Sequence, residues 1–202
     1  MPDYSYEKAA EISGFNLICG VDEAGRGPLA GPVCAAAVIL PKDLEIEGLN
    51  DSKKLSEKKR EQLFDIITEK AISYCVAYGT LEEIEEKNIL NATFLAMNRA
   101  IDGLNVKPDF ALIDGNKIPT GIKVPAAAVV KGDAKSMSIA AASILAKVSR
   151  DRLLMEYDKK YPVYQFAKHK GYGTKLHTDL IKEFGPCEIH RLSFLKNILG
   201  EK

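Results

Sequence analysis

Short apolar runs that give way abruptly to acidic and glycine-rich residues recur along this chain. The first run, residues 15–21, leads into Asp22 and Glu23 and then into the turn-rich stretch GRGPLAGP. A second apolar run, residues 33–40, follows directly. Runs of this length between turn signals are typical of buried strands. We therefore expect two paired strands at the centre of the fold.

The remaining chain mixes strand and helix patterns. β-branched, aromatic and apolar residues predict further strands over residues 72–78, 110–113 and within 122–130. Apolar residues at spacings of three and four predict helices over residues 56–71, 89–104, 136–157 and 174–184. This order predicts an α/β fold, with a mixed five-stranded sheet and helices on both faces.

Composition limits the class of protein. With 202 residues, of which 46% are hydrophobic and 28% charged, the chain suits one globular domain with room for a small appendage. No apolar run approaches the roughly 18 residues of a membrane span, and the polar N-terminus does not resemble a signal peptide. Four cysteines without CxxC spacing are expected to be reduced thiols. We expect a cytoplasmic protein without a membrane partner.

The formal net charge is zero, yet the charges are unevenly distributed. The first hundred residues carry a net charge of −6 and the rest carry +6. Residues 117–175 alone contain twelve Lys or Arg and four acids, a net charge of +8. Such a segment suits a polyanionic partner, although a solvated lysine-rich surface would have the same composition.

Four carboxylates share one position in the pattern. Each lies where an apolar run gives way to a glycine-containing turn: Asp22, Glu23, Asp114 and Asp133. Strand ends of α/β sheets gather functional groups, and clustered acids need protons or a cation to offset their repulsion. Oxygen ligands favour Mg²⁺ or Mn²⁺, whereas the three histidines lack the spacing of a zinc site.

Structural roles for these acids remain open at this stage. A single Asp before a turn is commonly a turn or cap residue, and Asp133 could begin the helix that follows. Turn chemistry does not require the adjacent pair Asp22 and Glu23. Neighbouring strand residues face opposite ways, so Glu23 can share an ion with Asp22 only if the backbone bends, or else through its carbonyl or a water molecule.

Five motifs, in order along the chain, closely resemble those of the ribonuclease HII family. They are VDEAGRGPLAGPV (21–33), DSKKLSEKKRE (51–61), LIDG (112–115), KGDAKSMSIAAASILAKVSRD (131–151) and HKGYGT (169–174). The resemblance spans about residues 17–185. It implies a ribonuclease H-like catalytic domain over residues 1–185, with residues 186–202 as a small helical C-terminal extension packed on it. For that extension we favour a packed helix over a partner motif.

The resemblance also implies roles for individual residues. The family's metal-binding and catalytic acids fall on Asp22, Glu23, Asp114 and Asp133. Its sensor of the ribose 2′-hydroxyl falls on the backbone of Gly25, Arg26 and Gly27, and its sugar-packing tyrosine falls on Tyr172. Phosphate-contacting positions match Lys53 and Lys54, and we extend them to Lys147 and Arg150.

The implied activity is endonucleolytic cleavage by two Mn²⁺ or Mg²⁺ ions. Substrates would be RNA/DNA hybrids and duplex DNA containing single ribonucleotides, cut on the 5′ side to leave 3′-hydroxyl and 5′-phosphate ends. We expect a monomer. The related ribonuclease HIII family has an additional N-terminal domain, for which about 20 residues before Asp22 are too few.

Two other classes remain as alternatives. A non-catalytic nucleic-acid-binding module would explain the basic segment but not carboxylates at its centre. An enzyme that binds phosphate through GRGPLAGP fits less well, because the spacing matches neither common phosphate loop and its two prolines lack amide donors.

Overall fold

The computed structural model describes residues 1–200, and a five-stranded mixed sheet lies at its centre. In chain order the strands are β1 (Ile18–Ala24), β2 (Val33–Ile39), β3 (Ser73–Gly79), β4 (Phe110–Asp114) and β5 (Ala126–Val129). The sheet order is β3-β2-β1-β4-β5. β1 runs antiparallel to β2 and parallel to β4, so the predicted central pair and the predicted mixed sheet are both confirmed.

Helices cover both faces of this sheet, as predicted. The helices are α1 (Ser5–Ile12), α2 (Glu57–Lys70), α3 (Leu81–Asp102), α4 (Met137–Lys160), α5 (Phe166–His169), α6 (Lys175–Phe184) and α7 (Leu192–Leu199). α2 and α4 bury one face, and α3 buries the other. Because both faces are covered, all seven residues of β2 are buried, and its sequence is a continuous apolar run.

The start of α3 differs from the prediction. Thr80 and Glu83 form a reciprocal capping box that begins the helix eight residues earlier than the predicted Ile89. Asn88 then interrupts the helix with φ 68°, and its side chain accepts hydrogen bonds from the amides of Leu90 and Asn91. The predicted helix therefore corresponds to the second part of α3. Asn88 caps the start of this second part.

Helix α1 lies in a segment for which the sequence pattern predicted no element. Its buried Glu7 accepts hydrogen bonds from the Ser136 hydroxyl at 2.6 Å and from the Ser138 amide and hydroxyl at 2.9 and 2.6 Å. A carboxylate at the N-terminus of a helix also suits the helix dipole. Glu7 therefore fixes the first turn of α4.

Helix α4 packs unusually close to β1. A Cβ atom added at Gly20 would overlap the backbone of Ser138 and Ile139. The small side chains Ala140, Ala141 and Ala142 follow along the helix and are fully buried. The small-sided opening of α4 thus lets the helix backbone lie against the central strand.

The C-terminal segment is hydrogen bonded to a loop near the centre of the molecule. The Gly31 amide donates to the Ile189 carbonyl and the Arg191 amide donates to the Leu29 carbonyl, both at 2.8 Å. The predicted division at residue 185 remains a prediction, and residues 201 and 202 lie outside the described part of the chain. Within residues 1–200, no helix is long and apolar enough to cross a membrane.

Substitution Gly20→Ala is expected to lower the free energy of unfolding by about 2 kcal/mol or more, because the new methyl group would force α4 away from β1. Denaturant unfolding provides the measurement. Gly27→Ala is the matched control, since a Cβ there meets no atom within 4 Å. Equal stability of the two variants would contradict the close packing described above.

Candidate active site

Asp22, near the end of β1, and Asp114, the last residue of β4, lie on the same face of the sheet. β1 and β4 are parallel and pair Val21 with Ile113, so the two aspartates come next in register. Residues at equivalent positions of paired strands face the same side. That side is covered by α4, and Asp22 is only 4% exposed. The sequence prediction that strand ends bring carboxylates together therefore holds for this pair.

Asp133 approaches from the turn before α4. It lies in a short 3₁₀ helix, Gly132–Ala134, whose Gly132 amide donates to Asp114 Oδ1 at 2.6 Å. Ser136, not Asp133, caps α4, because its hydroxyl accepts from the Ile139 amide. Capping therefore does not account for Asp133.

Burial and neighbouring carboxylates raise the pKa values of Asp22 and Asp133. Burial raises the pKa of Asp22 well above its ordinary range, and Glu23 and Asp114 raise it further. Burial also raises the pKa of Asp133, as do the nearby Asp114 and Asp51. Protonation or a bound cation would relieve the repulsion within this group.

Glu23 occupies a different side of the sheet. β1 pairs regularly with β2 through Ala24, so the backbone does not bend at Glu23, and its side chain faces α3. Burial raises the pKa of Glu23 despite Arg26, whose Nη1 lies 3.4 Å from Glu23 Oε1. Glu23, Asp114 and Lys117 all line one cavity of about 150 Å³. The bend that would bring the Asp22 and Glu23 side chains onto one ion is absent.

The donor set suits a hard divalent cation, although it is not a closed coordination sphere. All four acids offer oxygen ligands, and burial together with neighbouring carboxylates raises the pKa values of Asp22, Glu23 and Asp133. Within residues 1–200, no three His, Cys, Asp or Glu side chains are arranged to hold an ion as they stand. Side-chain rotation would be needed to bring three carboxylates onto one ion.

Lys53 lies at the edge of the acids. Its Nζ is 3.6 Å from Asp133 Oδ2, and although burial lowers its pKa, Asp133 and Asp22 raise it overall. Lys54 is exposed at the end of the short helix Ser52–Lys54. Asp51, which caps that helix, is a neighbour of Asp133 that the sequence reasoning missed. The DSKK motif carried this signal, but only its lysines were weighed.

The GRG triplet forms a loop in which Gly25 is buried and Arg26 and Gly27 face solvent. Gly25 has φ +96°, and a Cβ there would overlap the Arg150 side chain. Arg26 and Gly27 are exposed. Beneath them Arg191, which is fully buried, donates to the carbonyls of this loop. No sequence pattern pointed to Arg191, because its partners lie about 160 residues away along the chain.

The predicted phosphate contact of Arg150 is wrong. Arg150 is only 1% exposed, and its guanidinium donates to the carbonyls of Ala30, Pro32 and Lys170. It therefore holds loops together and does not face a ligand. Its helix neighbour Lys147 remains partly exposed, although it pairs with Asp151 at 2.7 Å.

Tyr172 projects from a loop beside the GRG triplet. The tyrosine is 44% exposed, and the Lys147 ammonium lies 5.8 Å from its ring centre. The preceding Gly171 accepts at its carbonyl from the Leu29 amide at 2.8 Å, which joins the two loops. The tyrosine ring is thus not a core side chain.

All three histidines of the chain lie buried beneath the Tyr172 loop. His177 Nδ1 contacts the Tyr172 carbonyl at 2.9 Å, and His177 Nε2 lies 3.1 Å from His190 Nε2. His169 stacks on His177 with ring centres 4.2 Å apart. Burial lowers the pKa of His177 and of His190 to about 4. These rings support the loop as neutral groups.

A mixed sheet in this order, with carboxylates at the ends of its central parallel strands, defines the class of ribonuclease H-like, metal-dependent nucleases. The crystal structure of the ribonuclease H2 from Pyrococcus horikoshii OT3 is similar, with a TM-score of 0.77, 28% sequence identity, and coverage of 92% of this chain and 98% of that chain. Bst-RNase HIII in complex with Mn²⁺ shares the fold, with a TM-score of 0.71 at 18% identity and coverage of 96% and 71%.

Sequence comparison identifies the family. The model for ribonuclease HII matches residues 19–197. The chain is 60% identical over 197 residues to the ribonuclease HII of Caldicellulosiruptor bescii, which covers 98% of this chain and 95% of the relative. The chain therefore belongs to the ribonuclease HII family, as its motifs predicted, and is a metal-dependent ribonuclease H.

The buried histidines predict a pH-dependent stability. Unfolded histidines bind protons below about pH 6.5, whereas His177 and His190 stay neutral in the fold down to about pH 4. Their contribution is therefore complete above pH 6.5 and is lost as the pH falls towards 4.

We expect the two histidines to lower the melting temperature by at least about 4 °C between pH 7 and pH 5, against an opposing gain from the buried carboxylates, whose raised pKa values stabilise the fold as the pH falls. His190→Gln should flatten this slope, because one neutral buried imidazole is removed. Differential scanning calorimetry across this range measures both proteins. An equally steep slope in the variant would contradict the assignment to the histidine cluster.

Proposed function

We propose that this chain hydrolyses the RNA strand of RNA/DNA hybrids and incises duplex DNA on the 5′ side of single embedded ribonucleotides. One observation carries the finer part of this proposal. The exposed GRG loop and the exposed Tyr172 are joined by the hydrogen bond from Leu29 to Gly171, and the GRG loop directly follows the strand that carries Asp22 and Glu23. The loop and the tyrosine that we propose recognise the ribose therefore lie next to the acids.

The acids are proposed to hold Mg²⁺ or Mn²⁺. Asp22, Asp114 and Asp133 would do so on the α4 face, and Glu23, near the C-terminal end of the central strand β1, would contribute through its side chain, its carbonyl or a water molecule. Two bound ions would activate water and offset charge at the scissile phosphate, leaving 3′-hydroxyl and 5′-phosphate ends. The raised pKa values of Asp22 and Asp133, to which neighbouring carboxylates contribute, support this assignment.

The remaining residues bind and orient the nucleic acid. Glycines at 25 and 27 let main-chain groups approach a sugar closely, and the 2′-hydroxyl distinguishes RNA from DNA. Tyr172 offers an aromatic face next to that position. Lys53 and Lys54 supply positive charge beside the acids, where a phosphate would approach. Lys147, beside Tyr172, is proposed to contact phosphate as well.

Residues 117–175 have a smaller excess of unpaired positive charge than their composition indicates. Seven of their twelve cations form ion pairs, and five of these pairs use acids outside the segment. A non-catalytic binding module is therefore the less favoured function, because the buried acids would repel a polyanion unless cations were present. We further propose that the chain acts as a cytoplasmic monomer, with residues 1–185 as the catalytic domain and the described part of the tail, residues 186–200, packed on it.

Asp22→Asn is expected to reduce cleavage of a duplex with one ribonucleotide by at least about a hundredfold, because a buried ligand charge is lost. It should also abolish the rise in melting temperature that Mg²⁺ or Mn²⁺ produces in the unsubstituted protein. Asp65→Asn, at an exposed position of α2, is the control. Near-normal turnover and an intact metal-dependent shift in Asp22→Asn would overturn the metal assignment.

Tyr172→Ala is expected to lower kcat/KM for the single-ribonucleotide duplex by about tenfold, since an aromatic face for the sugar and base is removed. Tyr172→Phe should retain most activity because the ring remains. Steady-state kinetics and equilibrium binding to the all-DNA duplex provide the comparison. Equal losses in cleavage and in binding would contradict a positioning role for the ring.

A further inference from the structure

Arg191 uses its whole guanidinium on one loop. Nη1 donates to the carbonyls of Arg26 and Pro28 at 2.9 and 2.8 Å. Nη2 donates to Gly25 and Gly31 at 2.6 and 2.7 Å, and Nε donates to Gly31 at 2.9 Å. A guanidinium has five N–H donors, so every one is engaged.

These bonds set the direction of two peptide groups. The C=O of one residue and the N–H of the next point opposite ways across a planar trans peptide. Because the carbonyls of Gly25 and Arg26 point inward to Arg191, the amides of Arg26 and Gly27 point outward. Within residues 1–200, neither amide donates a hydrogen bond to protein. The next inward carbonyl, that of Pro28, fits the same rule, since the Leu29 amide donates to Gly171.

The charge on Arg191 adds to this orientation. Arg191 is fully buried, and no carboxylate among the described residues forms an ion pair with it. Burial lowers the pKa of Arg191 to about 9, so the guanidinium stays protonated at neutral pH. A buried cation behind the two peptides favours electronegative oxygen at their outward N–H groups.

We propose that Arg191 is a positioning residue for ribonucleotide recognition. It acts from the C-terminal tail by aiming the amides of Arg26 and Gly27 at the sugar and phosphate of the ribonucleotide. The inference rests on the proposed function, because it assumes that the GRG backbone reads the substrate. It assigns the tail segment that carries Arg191 a part in specificity.

Lysine at this position tests the geometry. Arg191→Lys keeps the charge but offers three donors from one atom, so it cannot hold carbonyls on both arms of the loop. Arg191→Met removes the charge as well and leaves four carbonyls without their donor. Lys196→Met, at an exposed position of α7, is the matched control for changes in the tail. Circular dichroism melting establishes that each variant is folded.

The readout separates recognition from folding. kcat and KM are measured on a duplex with one ribonucleotide, and the all-DNA duplex of the same sequence is measured as a competitive inhibitor. We expect Arg191→Lys to lose about tenfold or more in kcat/KM, roughly the effect of one or two hydrogen bonds, while Ki for the DNA duplex changes less than about twofold. Arg191→Met should lose more, and Lys196→Met should match the unsubstituted protein.

Parallel changes in kcat/KM and in Ki would show a merely structural role and overturn the proposal, as would an unchanged kcat/KM in Arg191→Lys. The proposed function fails in a different way. If the unsubstituted protein does not cut the single-ribonucleotide duplex, then the function is wrong. If it cuts and Arg191→Lys cuts equally well, then only the role of Arg191 is wrong.

Discussion

The close contact between α4 and β1 is the constraint on which the acidic centre depends. Gly20 gives the backbone of Ser138 and Ile139 room to lie against the strand, and Glu7 holds the first turn of α4 in place. This packing puts the turn that carries Asp133 beside the end of β4, where Gly132 bonds Asp114. If α4 lay farther from β1, Asp133 would be farther from Asp114, and the repulsion between these carboxylates would be weaker.

Two buried arginines impose a second constraint on the recognition side. Arg150 and Arg191 donate to the carbonyls of the loop at residues 25–32, and Arg150 also reaches the loop that carries Tyr172. Buried charges are costly unless their hydrogen bonds are satisfied, and here backbone carbonyls satisfy them. The histidine cluster supports the Tyr172 loop from beneath. The fold thus uses long-range polar contacts to hold exposed backbone in a defined shape.

Sequence reasoning recovered the local features of this molecule. Apolar runs located the strands, and the position of Asp22 and Asp114 at strand ends predicted their proximity, because parallel strands bring equivalent ends together. The side of the sheet that the Glu23 side chain faces depends on how β1 pairs with β2. A single chain segment does not reveal that register. Arg150 was misjudged because helix spacing identifies a face but not whether that face is buried. Arg191 and the histidine cluster depend on contacts between distant segments, for which periodicity carries no signal.

The central claim is that the acids and the adjoining backbone loop together direct a metal-dependent cut at a ribonucleotide. The most direct measurement is to map the cleavage position in duplex DNA with one embedded ribonucleotide, with Mg²⁺, with Mn²⁺ and with neither. The account predicts a single cut on the 5′ side of the ribonucleotide, 3′-hydroxyl and 5′-phosphate ends, and no product without a divalent cation. Cleavage without metal, or cleavage at positions unrelated to the ribonucleotide, would contradict it.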